Sequence, residues 1–470
     1  MSADFTYHYL VNHIVPGPQS FSYFAPLILL PLALLIPPAI LSHRATCTLF
    51  LPLIVASTLH AWQAMGGVDV LSVNHLLWSV FLLAAKDPRK DFRFLVRHTP
   101  STPKSEQNGH AASKNSTATQ NITSGSHSVV FHEIPYPTTL WQRLPWVGNL
   151  LISLRLTDWK IDDRSHDKRQ PSKPSGKGHF SFIALALLRA IFGYLILDLT
   201  ASYIRTDPYF HNHSIPIDAP LSNIKTAFPP RLIRTAMIAA QSWSLVSQQF
   251  YLPCTIPVAL HSFGLLSDAW SPHLWTPFFG PASSLLTHGL AGFWGTYWHS
   301  TMKYTVLGPA LLLTKTYLPS SSSSSSSSPQ QQPQQRSKLR YTILLTTAFF
   351  LSGCVHMGLV SAQPLHSSIP TNRIRILIAS FFWIQPLGIA IENLVGKTSN
   401  KLLPVSITKN HIVTGCVNFC WIVVWSCCVA FPLLGEAARQ LGWFRYYTVP
   451  WSVVSGVWGG GEWVMWDILR

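Results

Sequence analysis

Charge is what this chain has least of. Only 11% of its 470 residues are Asp, Glu, Lys or Arg, against about 25% in a soluble globular chain. That scarcity excludes a water-soluble domain, because 48% of the residues are hydrophobic and must be shared among several membrane spans. Cysteine is sparse in a telling way. None of the seven forms a CxxC pair, so structural zinc is excluded. Cys354, Cys416, Cys420, Cys427 and Cys428 lie in apolar runs, where a free thiol packs like a small hydrophobe, and a disulfide framework is excluded as well. Residues 1–20 contain no Lys or Arg. The positive start of a cleavable leader is therefore missing, and the first apolar run, Phe21 to Leu41, is expected to remain as a span. Neither a convincing internal repeat nor many charges inside apolar runs are present, which weighs against a transporter built on inverted repeats.

The net charge is +16. It sits in loops with no nucleic-acid-binding motif around it, so it marks cytosolic loops beside anionic headgroups rather than a nucleic-acid site. Runs of about 20 apolar residues match the hydrocarbon core. They fall at 21–41, 49–64, 70–85, 181–204, 232–266 (one long or broken), 302–318, 341–363, 374–395, 411–434 and 447–466. The pattern predicts an all-α, polytopic membrane protein with about eight to ten transmembrane or re-entrant helices. Three regions follow: N-terminal helices over 1–85, a basic and partly disordered cytosolic loop over 86–180, and a core over 181–470. The loop holds 15 Lys or Arg against 8 Asp or Glu, and its middle, 99–130, reads as disordered. The core is interrupted by a low-complexity linker at 319–340.

Two stretches carry chemistry. In FFLSGCVHMGLV, His356 is the sixteenth residue of an apolar run that begins at Tyr341. An ionisable side chain at membrane depth is costly and points to function, and a neutral imidazole can take a proton from an alcohol. Ser352-Gly353 and Gly358 are small and would let a helix or ligand approach. In AGFWGTYWHSTMKY, Phe293, Trp294, Tyr297, Trp298 and His299 fall within seven residues, and a helical reading puts Trp294 and Trp298 on one face. An interfacial aromatic belt explains the rings but not the histidine. Asp198, Glu392 and Asn393 lie in other apolar runs and would line a tunnel or pair with a neighbouring helix.

Taken together, FWGTYWH followed by a span containing SGxxH resembles the wax synthase domain of the membrane-bound O-acyltransferase superfamily, which usually reads close to FWGRRWH and then has an intramembrane His. Related sterol and diglyceride acyltransferases carry FYxDWWN. Leu154-Arg155-Leu156-Thr157-Asp158-Trp159 is similar to the family's LRGIGW segment. The likeness covers about residues 140–400 and is greatest to fungal members that acetylate terpenoid or meroterpenoid alcohols. It implies that His356 and His299 are catalytic, and that Phe293, Trp294, Trp298, Lys303 and Arg155 line the acyl-CoA and substrate site, where Glu392 and Asn393 are also expected from their place in an apolar run. Thr296 and Tyr297 stand where the family has a basic pair, and Leu156, Thr157 and Asp158 replace Gly-Ile-Gly. Lys303 or Arg155 would then meet the donor's phosphates.

The expected reaction is transfer of acetyl from acetyl-CoA, a co-substrate rather than a resident cofactor, to the hydroxyl of a hydrophobic alcohol in secondary metabolism. The partners are acyl-CoA, the alcohol and lipid, with no nucleic acid and no metal. The setting is a multi-pass protein, expected in the endoplasmic reticulum. A long-chain wax ester synthase and a membrane transporter are the alternatives.

Overall fold

The structure, a computed structural model, describes residues 21–98, 130–161, 178–221, 227–267, 270–272, 275–298, 300–317, 332–360, 368–402, 404–408, 410–444, 448–458 and 463–465. It is mostly helical. Four helices are long and apolar enough to cross a membrane: His43–Met65, His179–Thr206, Thr371–Ser399 and His411–Gln440. Phe21–Leu35 and Val70–Ala85 are shorter apolar helices.

The first three helices, α1 (Phe21–Leu35), α2 (His43–Met65) and α3 (Val70–Val80), have boundaries written in the local sequence. Gly66 ends α2 in the left-handed conformation, and Asp69 starts α3 by accepting from the backbone N–H groups of Leu71 and Ser72, both at 3.0 Å.

The described parts of the expected loop, 86–98 and 130–161, carry strands and a helix, and the chain is not wholly helical. Strands β1 (Phe92–His98), β2 (Val130–Ile134) and β3 (Trp159–Ile161) form an antiparallel sheet in the order β2-β1-β3, with Phe94 opposite both Ile134 and Trp159. Helix α4 (Leu140–Ile152) packs Trp146 edge-on against Trp159, with ring centroids 4.8 Å apart. Alternation supplies the reason: Phe92 and Phe94 project from one face of β1 and are buried with Trp146, Leu150, Trp159 and the inner sides of α1 and α3. Each buried ring contributes on the order of 2–3 kcal/mol, enough to hold this piece on the N-terminal helices. The expected disorder at 99–130 falls outside the described residues, apart from Val130, which pairs with His98. Most of the 319–340 linker also falls outside them.

Next come α5 (His179–Thr206) and α6 (Pro230–Tyr251). The first buries Ala186, Ala190, Gly193 and Leu197 and leaves Leu188, Ile191, Phe192 and Leu199 exposed, the arrangement of a helix with small residues toward its neighbour and large apolar ones toward lipid. Across that interface Gln248 Nε2 donates to the Ala190 carbonyl at 2.7 Å, and the Ser244 hydroxyl donates to that of Gly193. Asp198, fully buried, accepts from the N–H groups of Val453 and Val454 and so docks the C-terminal segment on α5. The run 232–266 breaks at Pro253 into α6 and α7 (Thr255–Ser262).

The rest of the core is α8 (Ser283–Gly292), continued by a π-helical turn at Phe293–Tyr297, then α9 (Lys303–Tyr317), α10 (Gln332–Met357), α11 (Thr371–Trp383), α12 (Gln385–Leu402), α13 (His411–Trp425) and α14 (Phe431–Gln440). The run 447–466 is not a single span: it contains the six-residue helix Val453–Trp458 and a bridge between Trp451 and Val464. Pro450 precedes that helix and three glycines follow it in sequence, which leaves too little uninterrupted chain to cross.

Candidate active site

A cavity of about 2400 Å³ runs between α6, α8, α10 and the segment 153–158. His356, Phe293, Trp294, Trp298, Lys303 and Arg155 all line it. The two stretches singled out in the sequence therefore meet in one space.

His356 is one residue from the end of α10. Its Nδ1 lies 2.7 Å from the carbonyl oxygen of Ser352. A carbonyl only accepts, so Nδ1 carries the hydrogen, and the neutral ring keeps its lone pair on Nε2. The ring stacks on Phe382, centroids 4.0 Å apart and 26° from parallel, which fixes its plane. Close approach around it is real. Trp383 Nε1 donates to the Phe350 carbonyl across Gly353, and Gly358 abuts the Asp69–Val70 backbone at the start of α3.

The aromatic stretch is not a regular α-helix. Gly289 takes φ 54° and ψ −136°, breaking α8; a side chain there would be strained and would collide with the Glu392 carboxylate. After the break the chain restarts with two free N–H groups, and Glu392 satisfies both, accepting from Leu290 at 2.8 Å and Ala291 at 3.2 Å. The turn from Phe293 to Tyr297 is π-helical, and Trp298 is extended with its N–H bonded to the Phe293 carbonyl at 2.7 Å. Trp298 stacks on Phe293 at 5.4 Å and stays 6.1 Å from Trp294, so the rings cluster although the expected helical face does not exist. Trp294 reaches the second motif: its ring is 6.1 Å from Phe382, the ring under His356. Its Nε1 donates to Gln385 Oε1, which also accepts from Trp425.

Arg155 is held rather than loose. It donates to the carbonyls of Thr276 and Pro277 and to the Ser300 hydroxyl, and lies over the rings of Phe250 and Phe278. Burial lowers its pKa, with Tyr251 and Asp158 pulling the other way. Beside it, Asp158 lines the same cavity, and burial pushes its carboxyl up to about 7 against a hydrogen bond from Thr157 and the charge of Arg155. Leu156, between them, has φ 47°. The resembling family has glycine at this position, and glycine adopts that conformation without strain. Lys303 is the first residue of α9 and lies on the cavity wall.

Two expectations are redrawn. Glu392 stands behind the aromatic turn as its cap and Asn393 is exposed; neither lines the cavity. His299 lies outside the described residues. Sequence reasoning passed over Gln385 and Phe382, because their roles depend on contacts between helices far apart in the chain. Among the described residues no group of three or more His, Cys, Asp or Glu is placed to hold a metal.

Residues 275–383, which contain both stretches, match the model of the membrane bound O-acyl transferase family. The chain is an acyltransferase enzyme similar to that family. This acyltransferase is 26% identical to the acetyltransferase eriL of Hericium erinaceus over 68% of its own length and 72% of that protein's. It is 24% identical to the acetyltransferase aurG of Calcarisporium arbuscula, over 64% and 68% of the two chains, and 24% identical to the acetyltransferase atnC of an Arthrinium species, over 72% of each. No solved structure matches it significantly.

Proposed function

We propose that this acyltransferase moves an acetyl group from acetyl-CoA to a hydroxyl of a hydrophobic terpenoid or meroterpenoid alcohol in secondary metabolite biosynthesis. The observation that carries the reading is His356, with Nδ1–H spent on Ser352 and a basic Nε2 left on the wall of a large, mainly apolar cavity. In this reading Nε2 takes the proton of the alcohol as its oxygen attacks the thioester carbonyl, and returns it to the departing thiolate. No acyl-enzyme is required, and Cys354 does not line the cavity. His299 supplies a hydrogen bond to the developing oxyanion. Phe293, Trp294 and Trp298 shape the acyl end, while Lys303 and Arg155 favour the anionic donor. Holding both substrates in one space provides much of the rate.

The names of the relatives support acetyl as the transferred group, and a cavity of about 2400 Å³ has room for a multi-ring alcohol beside the donor. The protein acts as a multi-pass protein of the endoplasmic reticulum membrane. Its four long apolar helices, the shorter ones and the broken elements around the cavity make up eight to ten crossing or re-entrant segments.

Membranes containing the protein, given labelled acetyl-CoA and a panel of terpenoid and straight-chain alcohols, should form labelled terpenoid ester. His356→Ala, inserted to the same level, should lose at least about 100-fold. Undiminished transfer by that variant overturns the assignment, and ester formed only from long-chain alcohols and fatty acyl-CoA replaces it with wax ester synthesis.

A further inference from the structure

Three glutamines are buried among the described residues: Gln241, Gln385 and Gln440. Two are used up by the protein. Gln385 accepts from Trp294 and Trp425 and donates to the Phe381 carbonyl at 2.7 Å. Gln440 accepts from the N–H and hydroxyl of Ser368 and donates to Glu436 at 2.8 Å. Gln241 differs. It is 7% exposed, it lies on the cavity wall, and its amide has no hydrogen-bond partner among the described residues.

Several other polar side chains of α6 are used up by the protein. Ser244 and Gln248 are satisfied by carbonyls of α5, and Ser247 by the Trp243 carbonyl one turn back. Along the same helix the cavity wall is mainly apolar, with Ile238, Ala239, Leu245 and Val246, and its other polar residues are Thr235, Ser242 and Gln249. An amide on a cavity wall with no protein partner is free to hydrogen-bond what enters the cavity. In an apolar pocket, a few polar groups of this kind are what fix a ligand's orientation.

We propose that Gln241 is a specificity-determining residue that hydrogen-bonds a second oxygen function, a hydroxyl or a carbonyl, on the acceptor alcohol. The amide offers two donors and an acceptor with two lone pairs, so it serves either group. The acceptor class is thereby narrowed from any hydrophobic alcohol to one oxygenated at two separated positions, one acylated at His356 and one held at Gln241. This rests on the acyl-acceptor reading of the same cavity. A pocket polar group left unpaired by an analogue that lacks its partner discriminates far more strongly than an apolar wall does.

The test uses a panel of terpene diols and hydroxyketones, each paired with the mono-alcohol of the same skeleton lacking the remote oxygen. Full-length protein is measured in two ways: acetyl transfer by the wild type, and binding to the inactive His356→Ala protein in detergent, read as a thermal shift. At least one oxygenated member should be preferred by about 100-fold in kcat/KM. Gln241→Leu should cut that preference to about threefold or less, and Gln241→Met should do the same if the Leu variant folds poorly. No preference anywhere in the panel, or an undiminished preference in both variants, overturns the proposal. Ester formed from both members of every pair at equal rates sinks it while sparing the transferase reading. Selective binding abolished by Gln241→Leu, with no ester from any alcohol, has the opposite meaning.

Discussion

A neutral imidazole carries one hydrogen, and its position decides which nitrogen can act as a base. In His356 the Ser352 carbonyl takes the Nδ1 hydrogen, so the orientation of the base is set by its own helix. Asp158 shows burial acting on a residue outside the spans. Its carboxyl is pushed up to about 7, so the folded protein holds this proton more tightly than the unfolded chain, where the group titrates near 4. The sign follows: Asp158 contributes stability below about pH 4, and that contribution is lost as pH rises through 7. The thermal midpoint of purified protein should therefore fall between pH 5 and pH 8. Asp158→Asn, neutral at every pH, should flatten that slope and melt higher than the wild type at pH 8; an unchanged slope would refute the assignment. These two residues differ in how legible they were. A histidine in an apolar run stands out in sequence, whereas Asp158 sat in a polar segment, and its chemistry comes from burial by distant residues.

At the level of elements, the site depends on a break. Gly289 stops α8, the chain restarts, and Glu392 from α12 caps the restart and so sets where Phe293, Trp294 and Trp298 begin. Loss of a cap of this kind costs about 1 kcal/mol, but its larger effect is displacement of the cavity wall. Glu392→Ala should lower kcat/KM by about tenfold or more, mainly through KM if the turn positions the acyl donor. Glu392→Gln, which keeps one acceptor oxygen, should retain most activity. Equal activity in the Ala variant would mean that the turn holds without its cap. The aromatic cluster was legible in the sequence, and its meeting with His356 was expected from the family resemblance. Its geometry was not: a π-helical turn and an extended Trp298 have the same sequence spacing as the regular helix expected, and only the Gly289 break distinguishes them. The sheet was missed for a related reason. The alternation of Phe92, Phe94 and Val96 spans five residues, and it is diluted by a long basic, Ser- and Asn-rich stretch around it.

Over the whole molecule, large apolar residues are divided between two destinations. Leu188, Ile191, Phe192 and Leu199 on α5, and Val417 and Phe419 on α13, are exposed, whereas Ser244 and Gln248 of α6 turn to α5 and Gln241 lines the cavity. A soluble protein would not leave such faces bare, and lipid is the solvent that suits them. The orientation we propose puts the basic stretch 86–180 on the cytosolic side. Helix α5, with 28 residues, is about 42 Å long, more than the roughly 30 Å hydrocarbon core. One crossing by α5 places Thr138 and Ser214, both exposed, on opposite sides. Single cysteines at these positions, Thr138→Cys and Ser214→Cys, introduced into a variant without native cysteines, should report this in sealed microsomes. A membrane-impermeant maleimide should label the first at once and the second only after detergent is added. Immediate labelling of both would make α5 re-entrant, move the turn after Thr206 to the cytosol, and put the Asp198-docked C-terminal segment on the side from which acyl-CoA arrives.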